Sequence, residues 1–227
     1  MDDTPRPVQK ARTAGLSLLK DLIWIVGFML LFHTLAYGSY YIPSSSMEPT
    51  LQVGDRIAVS KYSLGYSRYS IPFSPPLFDG RILGEMPEQG DVLVLAVPEE
   101  NNEVFIKRLI GLPGDRIQLR AGRLFINGTF VERHFVEERV QTTRNGFPIR
   151  VRFYDETLPD GVTHRIAEYT DGGPLDDTPE FLVPAGHVFM MGDNRDNSND
   201  SRAPGGFGMV AIDELIGPAQ IISVSFA

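Results

Sequence analysis

The 227-residue chain contains no cysteine. That absence excludes a disulfide framework, a thiolate nucleophile and a Cys-based metal site, and leaves the compartment open. Basic residues are the minority sign: 21 Lys and Arg stand against 29 Asp and Glu, a formal charge of −8. A nucleic-acid binder usually shows a basic face, so no nucleic-acid partner is expected. Histidine is sparse, and none of the four is well placed to act as a base. His33 lies in an apolar run, His134 and His164 in an acidic stretch, and His187 in a turn without an obvious carboxylate partner. Nothing therefore nominates a Ser-His-Asp triad. The loop Gly192 to Arg202 alternates Asp and Asn, yet no Glu closes it at the spacing a calcium loop needs. No metal and no cofactor are expected. Internal repeats and low-complexity tracts are also missing.

Charge is absent from residues 22–47, and hydrophobic content of 42% can fill a real core. The apolar centre runs from Leu22 to Tyr37, and its sixteen residues span roughly 24 Å as helix, against about 30 Å for a bilayer core. A start near Leu16 makes up the length if Lys20 reaches the headgroups and Asp21 stays near the interface. Trp24 and the cluster Tyr37, Tyr40, Tyr41 suit the two interfacial belts. A buried helix and a cleaved signal peptide (Thr34-x-Ala36 faintly resembles a cleavage site) compete with an uncleaved anchor. Length and interfacial aromatics favour the anchor. Arg6, Lys10, Arg12 and Lys20 precede it, which leaves the N-terminus in the cytoplasm and everything after Gly38 across the membrane.

Beyond the anchor the pattern is β: apolar, β-branched and aromatic runs bounded by Gly, Pro and Asp. Strands are expected at Arg56 to Val59, Val92 to Val97 (closed by Pro98), Val104 to Gly111, Val188 to Met191 and Ala219 to Phe226. Arg116 to Arg120 and Arg123 to Ile126 read as a hairpin, and Asn127-Gly128 signals the next turn. The expected fold is mainly β: one transmembrane helix, then an antiparallel β-sheet catalytic core with a smaller inserted β-rich subdomain. The boundaries are a tail at 1–15, the helix at 16–38, the core at 39–127 and 184–227, and an acidic, turn-rich, mainly structural insert at 128–183. Tyr69 to Gly80, broken by Pro and rich in aromatics such as Phe73 and Phe78, is either a packed surface loop or one that dips into the headgroups.

Three segments carry chemistry. Ser44, Ser45 and Ser46 lie between Pro43 and Pro49, so the backbone is held extended or turned and is not expected to be helical. Met47 and Leu51 suggest a serine held against an apolar wall. In a strand over 104–111 side chains alternate, so Phe105, Lys107 and Leu109 share one face and Ile106, Arg108 and Ile110 the other. Lys107 thus stands between apolar neighbours, and burial can lower its pKa far enough for a general base. An edge-strand lysine that blunts aggregation is the bland alternative. Arg108 needs a carboxylate if buried, and Asp193 is the favoured partner. The loop Gly192 to Arg202 reads as too polar to pack in a core.

Together these segments resemble, in order and spacing, the boxes of bacterial type I signal peptidases, a serine/lysine-dyad family. Ser46-Met47-Glu48-Pro49-Thr50-Leu51 resembles the nucleophile box, Lys107 to Asp115 the general-base box, and Gly192 to Arg202 the third box. The Gly54-Asp55 turn and Gly90-Asp91-Val92 match as well. Only this match selects Ser46 over its neighbours Ser44 and Ser45. The resemblance implies a membrane-bound serine endopeptidase that removes signal peptides from exported preproteins with small residues at −1 and −3. It implies Ser46 as nucleophile and neutral Lys107 as base. The Ser46 N–H and Ser44 hydroxyl would form the oxyanion hole, and Ser198 would hydrogen-bond and orient the lysine. Asp193 with Arg108, and Asp200 with Arg202, would support the loop, while Ile42, Pro43, Met47, Phe105 and Ile106 would line the substrate pockets. The implied setting is the bacterial inner membrane, single-pass, with the catalytic domain on the periplasmic or outer face, touching the phospholipid bilayer and close to the export translocon.

Many relatives carry two spans where this chain shows one, and tyrosine is common where Phe105 stands. A conjugation-specific processing peptidase is the nearest rival. A self-cleaving repressor lacks support because no DNA-binding domain is present and an anchor is. A membrane-anchored β-domain that only binds would not need a lysine amid apolar residues facing a Pro-flanked serine.

Overall fold

The structure is a computed structural model that describes residues 7–71, 74–97, 103–142 and 146–225. Arg6, Phe73, Pro98 and Phe226, which entered the sequence reading, lie outside them. Helix α1 (Pro7–Leu35) opens on a proline, the residue best suited to a first helical position because its missing N–H has no partner there. Its described apolar side chains, from Leu18 to Phe32, are all exposed, Trp24 by 70%. Among the described residues no helix is long and apolar enough to cross a membrane.

The helix ends before the expected boundary at 38. Tyr37 to Tyr41, counted in the sequence as the end of the anchor and its aromatic belt, forms strand β1 (Tyr37–Tyr41) instead. Pairing decides this: Tyr37 to Tyr41 lie opposite Ser60 to Arg56 of β2 (Arg56–Ser60). The remaining strands are β3 (Val92–Val97), β4 (Glu103–Gly111), β5 (Arg116–Arg120), β6 (Arg123–Ile126), β7 (Thr129–Phe130), β8 (Glu132–Thr142), β9 (Pro148–Thr157), β10 (Thr163–Glu168), β11 (Phe181–Leu182), β12 (His187–Met191), β13 (Val210–Ala211) and β14 (Leu215–Val224). The protein is mainly β, and its ladders are antiparallel.

A seven-stranded sheet runs β1-β2-β14-β3-β4-β12-β13. Strand β3 is a nearly unbroken apolar run because both of its faces are buried, which removes the usual polar alternation. Val94 and Ala96 pack with Ile42, Met47, Ile57 and Ile106 on one side. Leu93, Leu95 and Val97 pack with Leu109, Val188 and Met190 on the other. A four-stranded sheet, β11-β5-β6-β7, builds its own core on Ile117, Leu119, Leu124 and Ile126. Asn127 and Gly128, with φ of 53° and 76°, turn β6 into β7. Both central residues of a type I′ turn require positive φ, and Asn-Gly accepts it most readily.

The third sheet, β10-β9-β8, contains the longest strand, β8, and the ten-residue β9, in a stretch whose composition reads as turn-rich. Most of β8 is exposed, so its charged side chains hid the period-2 signal. This sheet reaches the loop after β12 through Ala167, whose N–H donates to the Asp193 carbonyl and whose carbonyl accepts from the Arg195 N–H, each at 2.9 Å.

Candidate active site

Ser46 sits in a single 3-10 turn, Ser45–Met47, a short helical element where the prolines had argued for none. The prolines flank that turn rather than interrupt it, so their constraints fall outside its hydrogen bond. Met47 is fully buried among Ile42, Leu51, Ile57 and Ile106, and it anchors the turn to the sheet. The polar loop holds the other side. Asn194 N–H donates to the Ser46 carbonyl (3.1 Å), and Asn194 Nδ2 to the Ser45 carbonyl (3.0 Å). Asn197 Nδ2 donates to Ser45 Oγ at 2.7 Å.

Lys107 stands on β4 opposite Leu93 and is 2% exposed. Its Nζ donates to Ser46 Oγ at 2.6 Å. Burial lowers the Lys107 pKa from 10.5 to about 8, since the ammonium loses its hydration; Asp200 and Asp193 oppose the change and Arg202 assists it. The Phe105 ring lies with its centroid 6.0 Å from Nζ. Ser44 Oγ is 3.3 Å from Ser46 Oγ.

The hydrogen bond expected from Ser198 to Lys107 is not formed. Ser198 is buried, but its Oγ has no hydrogen-bond partner among the described residues. It lies against Gly192, where an added Cβ would collide with both the Ser198 side chain and the Ser46 carbonyl. Residue 192 must therefore lack a side chain for the two segments to close on each other.

The polar loop is a second correction. Far from staying solvated, it buries Asp193, Asn194, Arg195, Ser198, Asp200, Ser201 and Arg202. Internal pairing makes this possible, because a buried charge is tolerated only when paired and hydrogen-bonded. Arg108 meets Asp193 in a bidentate pair, Nε to Oδ1 at 2.8 Å and Nη2 to Oδ2 at 2.6 Å, and its Nη1 donates to the Gly90 carbonyl. Arg202 grips Asp200 the same way, at 2.9 and 2.8 Å, while Asp200 also accepts from the Gly192 N–H. Thr50 Oγ1 donates to Asp193, which ties the box after the serine to the arginine pair.

Sequence reasoning missed one such pair. Arg195 is bidentate to Glu156 on β9, and His164 Nε2 on β10 lies 3.4 Å from the same carboxylate. Burial drives the Glu156 pKa upward, but the Arg195 charge and the hydrogen bonds from His164 and Arg195 outweigh it and hold the carboxyl below its usual range. Tyr169, whose hydroxyl accepts from Asn194 Nδ2, was also missed.

Beside Ser46 and Lys107 opens a groove of about 240 Å³, lined by Ile42, Pro43, Phe105 and Ile106 among others. Met47 does not line it, because its side chain is spent on the core below. Strand β12 meets β4 only from Arg108 to Gly111, so Glu103 to Lys107 keeps one edge unpaired along this groove among the described residues. A free strand edge offers backbone donors and acceptors to an extended peptide. A hydroxyl held on an amine whose pKa is about 8, at the end of a peptide-sized groove, has the parts needed for nucleophilic attack on a carbonyl.

The family model described as signal peptidase, peptidase S26, matches residues 16–224. A signal peptidase I of Rickettsia bellii is 39% identical over 211 residues, covering 89% of this chain and 71% of its own. One from Rickettsia akari is 40% identical over 209 residues, covering 88% of this chain and 76% of its own. A signal peptidase I of Enterococcus faecalis with a solved structure superposes with a TM-score of 0.35 at 25% identity, over 60% of this chain and 98% of that one, a likeness too loose to bear on the fold.

Proposed function

Because the chain belongs to the signal peptidase family, peptidase S26, and is a serine endopeptidase, we propose that it removes N-terminal signal peptides from exported preproteins with Ser46 as nucleophile and neutral Lys107 as general base. The observation that carries this reading is the 2.6 Å contact between Lys107 Nζ and Ser46 Oγ, buried at the end of the groove. Substrate adds to the unpaired edge of β4 in extended form. Ser46 Oγ attacks the scissile carbonyl carbon as its proton passes to Nζ. The tetrahedral oxyanion accepts from the Ser46 N–H and the Ser44 hydroxyl, a role supported by the position of Ser44 Oγ beside the nucleophile, 3.3 Å from Ser46 Oγ. Lys107 then gives the proton to the leaving amine, the acyl-enzyme forms, and Lys107 activates the water that hydrolyses it. Asp193 with Arg108, and Asp200 with Arg202, hold the loop that backs both residues; Ser198 fills the space over Gly192. The shallow groove by Ile42, Pro43, Phe105 and Ile106 suits small residues at −1 and −3.

The proposal extends to setting and organisation. The exposed apolar face of α1 supports a single-pass anchor with the N-terminus in the cytoplasm and the catalytic body at the outer face of the bilayer. Residues 39–127 and 184–227 make the catalytic core, and 128–183 an inserted subdomain. The test is cleavage of a preprotein after an Ala-x-Ala site by the membrane-embedded protein across pH. The rate is expected to rise with deprotonation of a group near pH 8 and to be abolished by Ser46→Ala and by Lys107→Met. Near-native turnover from either variant removes the dyad.

A further inference from the structure

The groove beside Lys107 does not end at the nucleophile. It shares Pro43 and Ser44 with a second cleft of about 630 Å³, walled by Ser45, Gln141, Thr142 and Tyr169 among others. That cleft shares Glu48 and Gln141 with a third of about 170 Å³, which continues along the sheet of β8, β9 and β10 past Arg139 and Arg165. One path therefore passes from Phe105, over the turn that carries Ser46, to the face of the third sheet.

The two ends differ in chemistry. On the Phe105 side the walls are apolar residues and a strand edge, as a signal peptide requires. Beyond Ser45 the walls are polar side chains with small apolar patches, as suits a chain whose sequence varies from one preprotein to the next. The charges there are not all free. Arg139 pairs with Glu137 at 2.6 Å, and Arg165 with Asp155 at 2.9 Å. Glu48, half-buried at the joint of the two clefts, has no ion pair among the described residues; burial raises its pKa, and an N–H from Val53 opposes the rise.

Resting on the function proposed above, we infer that the first residues of the mature protein bind in this cleft, between the Ser44–Glu48 turn and β8, and that Glu48 makes the enzyme favour a basic over an acidic side chain there. A volume of this size accepts a drug-sized ligand and so a short extended peptide. The inserted sheet then acts as the wall of the leaving-group site as well as a support for the polar loop.

The experiment uses the full chain in detergent micelles and peptides that share one signal segment but carry either two or ten mature residues. The longer peptide is expected to show a KM lower on the order of tenfold with kcat little changed, the signature of added ground-state binding. Thr142→Trp, at an exposed position on β8, should raise KM for the long peptide toward that of the short one and leave the short one untouched. Within the first five mature residues, Lys is expected to outperform Glu on the order of fivefold at one or two positions, about what one partly exposed ion pair provides. Glu48→Gln should erase that preference. Equal KM values for the two lengths in the wild type, or equal losses on both from Thr142→Trp, overturn the cleft. A Lys-over-Glu preference that survives Glu48→Gln overturns the role of Glu48. Failure of the wild type to cleave either peptide overturns the function beneath both.

Discussion

Lys107 lives on a conflict between solvation and use. Burial lowers its pKa to about 8 against 10.5 for the free side chain, a difference worth about 3 kcal/mol. Below pH 8 the lysine is protonated in both folded and unfolded chains, so folding carries the whole penalty. Between 8 and 10.5 only the unfolded chain binds the proton, and stability rises with pH; above that window the penalty is gone. Lys107→Met should therefore raise the urea-unfolding free energy at pH 7 by up to about 3 kcal/mol, and the gain should shrink toward zero by pH 10.5. Asp200→Asn removes the carboxylate that most favours the ammonium and leaves Arg202 unopposed, so the midpoint of the pH–rate profile should move down. At this scale much was legible. Strict side-chain alternation separates Lys107 from Arg108 without any coordinates, and the boxes select Ser46. The direction of the Ser198 hydroxyl was not, because it depends on how closely Gly192 lets two remote segments approach.

At the scale of elements, the loop between β12 and β13 joins the sheets through its arginine–carboxylate pairs. Breaking one side of a buried pair strands the other charge, at a cost of about 3–5 kcal/mol. Arg108→Ala should lose stability on that order in thermal or urea unfolding while the surviving folded enzyme keeps most of its kcat. A large fall in kcat at unchanged melting temperature would contradict that structural role. Glu156 is held below its ordinary carboxylate range, so its contribution is present above pH 4.5 and is lost as pH falls through the depressed folded value. Replacing both partners, Glu156→Leu with Arg195→Met, should therefore flatten the acid limb of the stability curve and cost less than either single change. Continuous apolar strands such as β3 announced themselves, as did the Asn127-Gly128 turn. The loop misled because a polar composition says nothing about whether its charges find mates. Arg195 finds Glu156 across 39 residues, a distance at which no local pattern operates.

At the scale of the whole molecule, the described apolar side chains of α1 stand exposed along the helix. Beside the helix, Ile82 and Leu83 are exposed on a segment paired with Tyr66. The full chain is expected to float with phospholipid vesicles in a sucrose gradient. A chain beginning at Ala36 should float weakly, and Ile82→Ser with Leu83→Ser should abolish the remainder. Sedimentation of the full chain away from the vesicles would remove the membrane setting. The presence of the helix was readable in the sequence, whereas its junction with the sheet was not, since β1 is a strand only because β2 is there to pair with it. That junction is tightly made. The Tyr66 hydroxyl donates to the Leu35 carbonyl at 2.7 Å, and the Lys61 N–H to the Ala36 carbonyl at 3.0 Å, before β1 leads straight to Ile42 and the serine turn. Five extended residues measure about 17 Å. With α1 in the bilayer as proposed above, a helix end clamped to a stiff strand of fixed length would act as a ruler, setting the height of Ser46 and so the bond of an emerging chain that is cut.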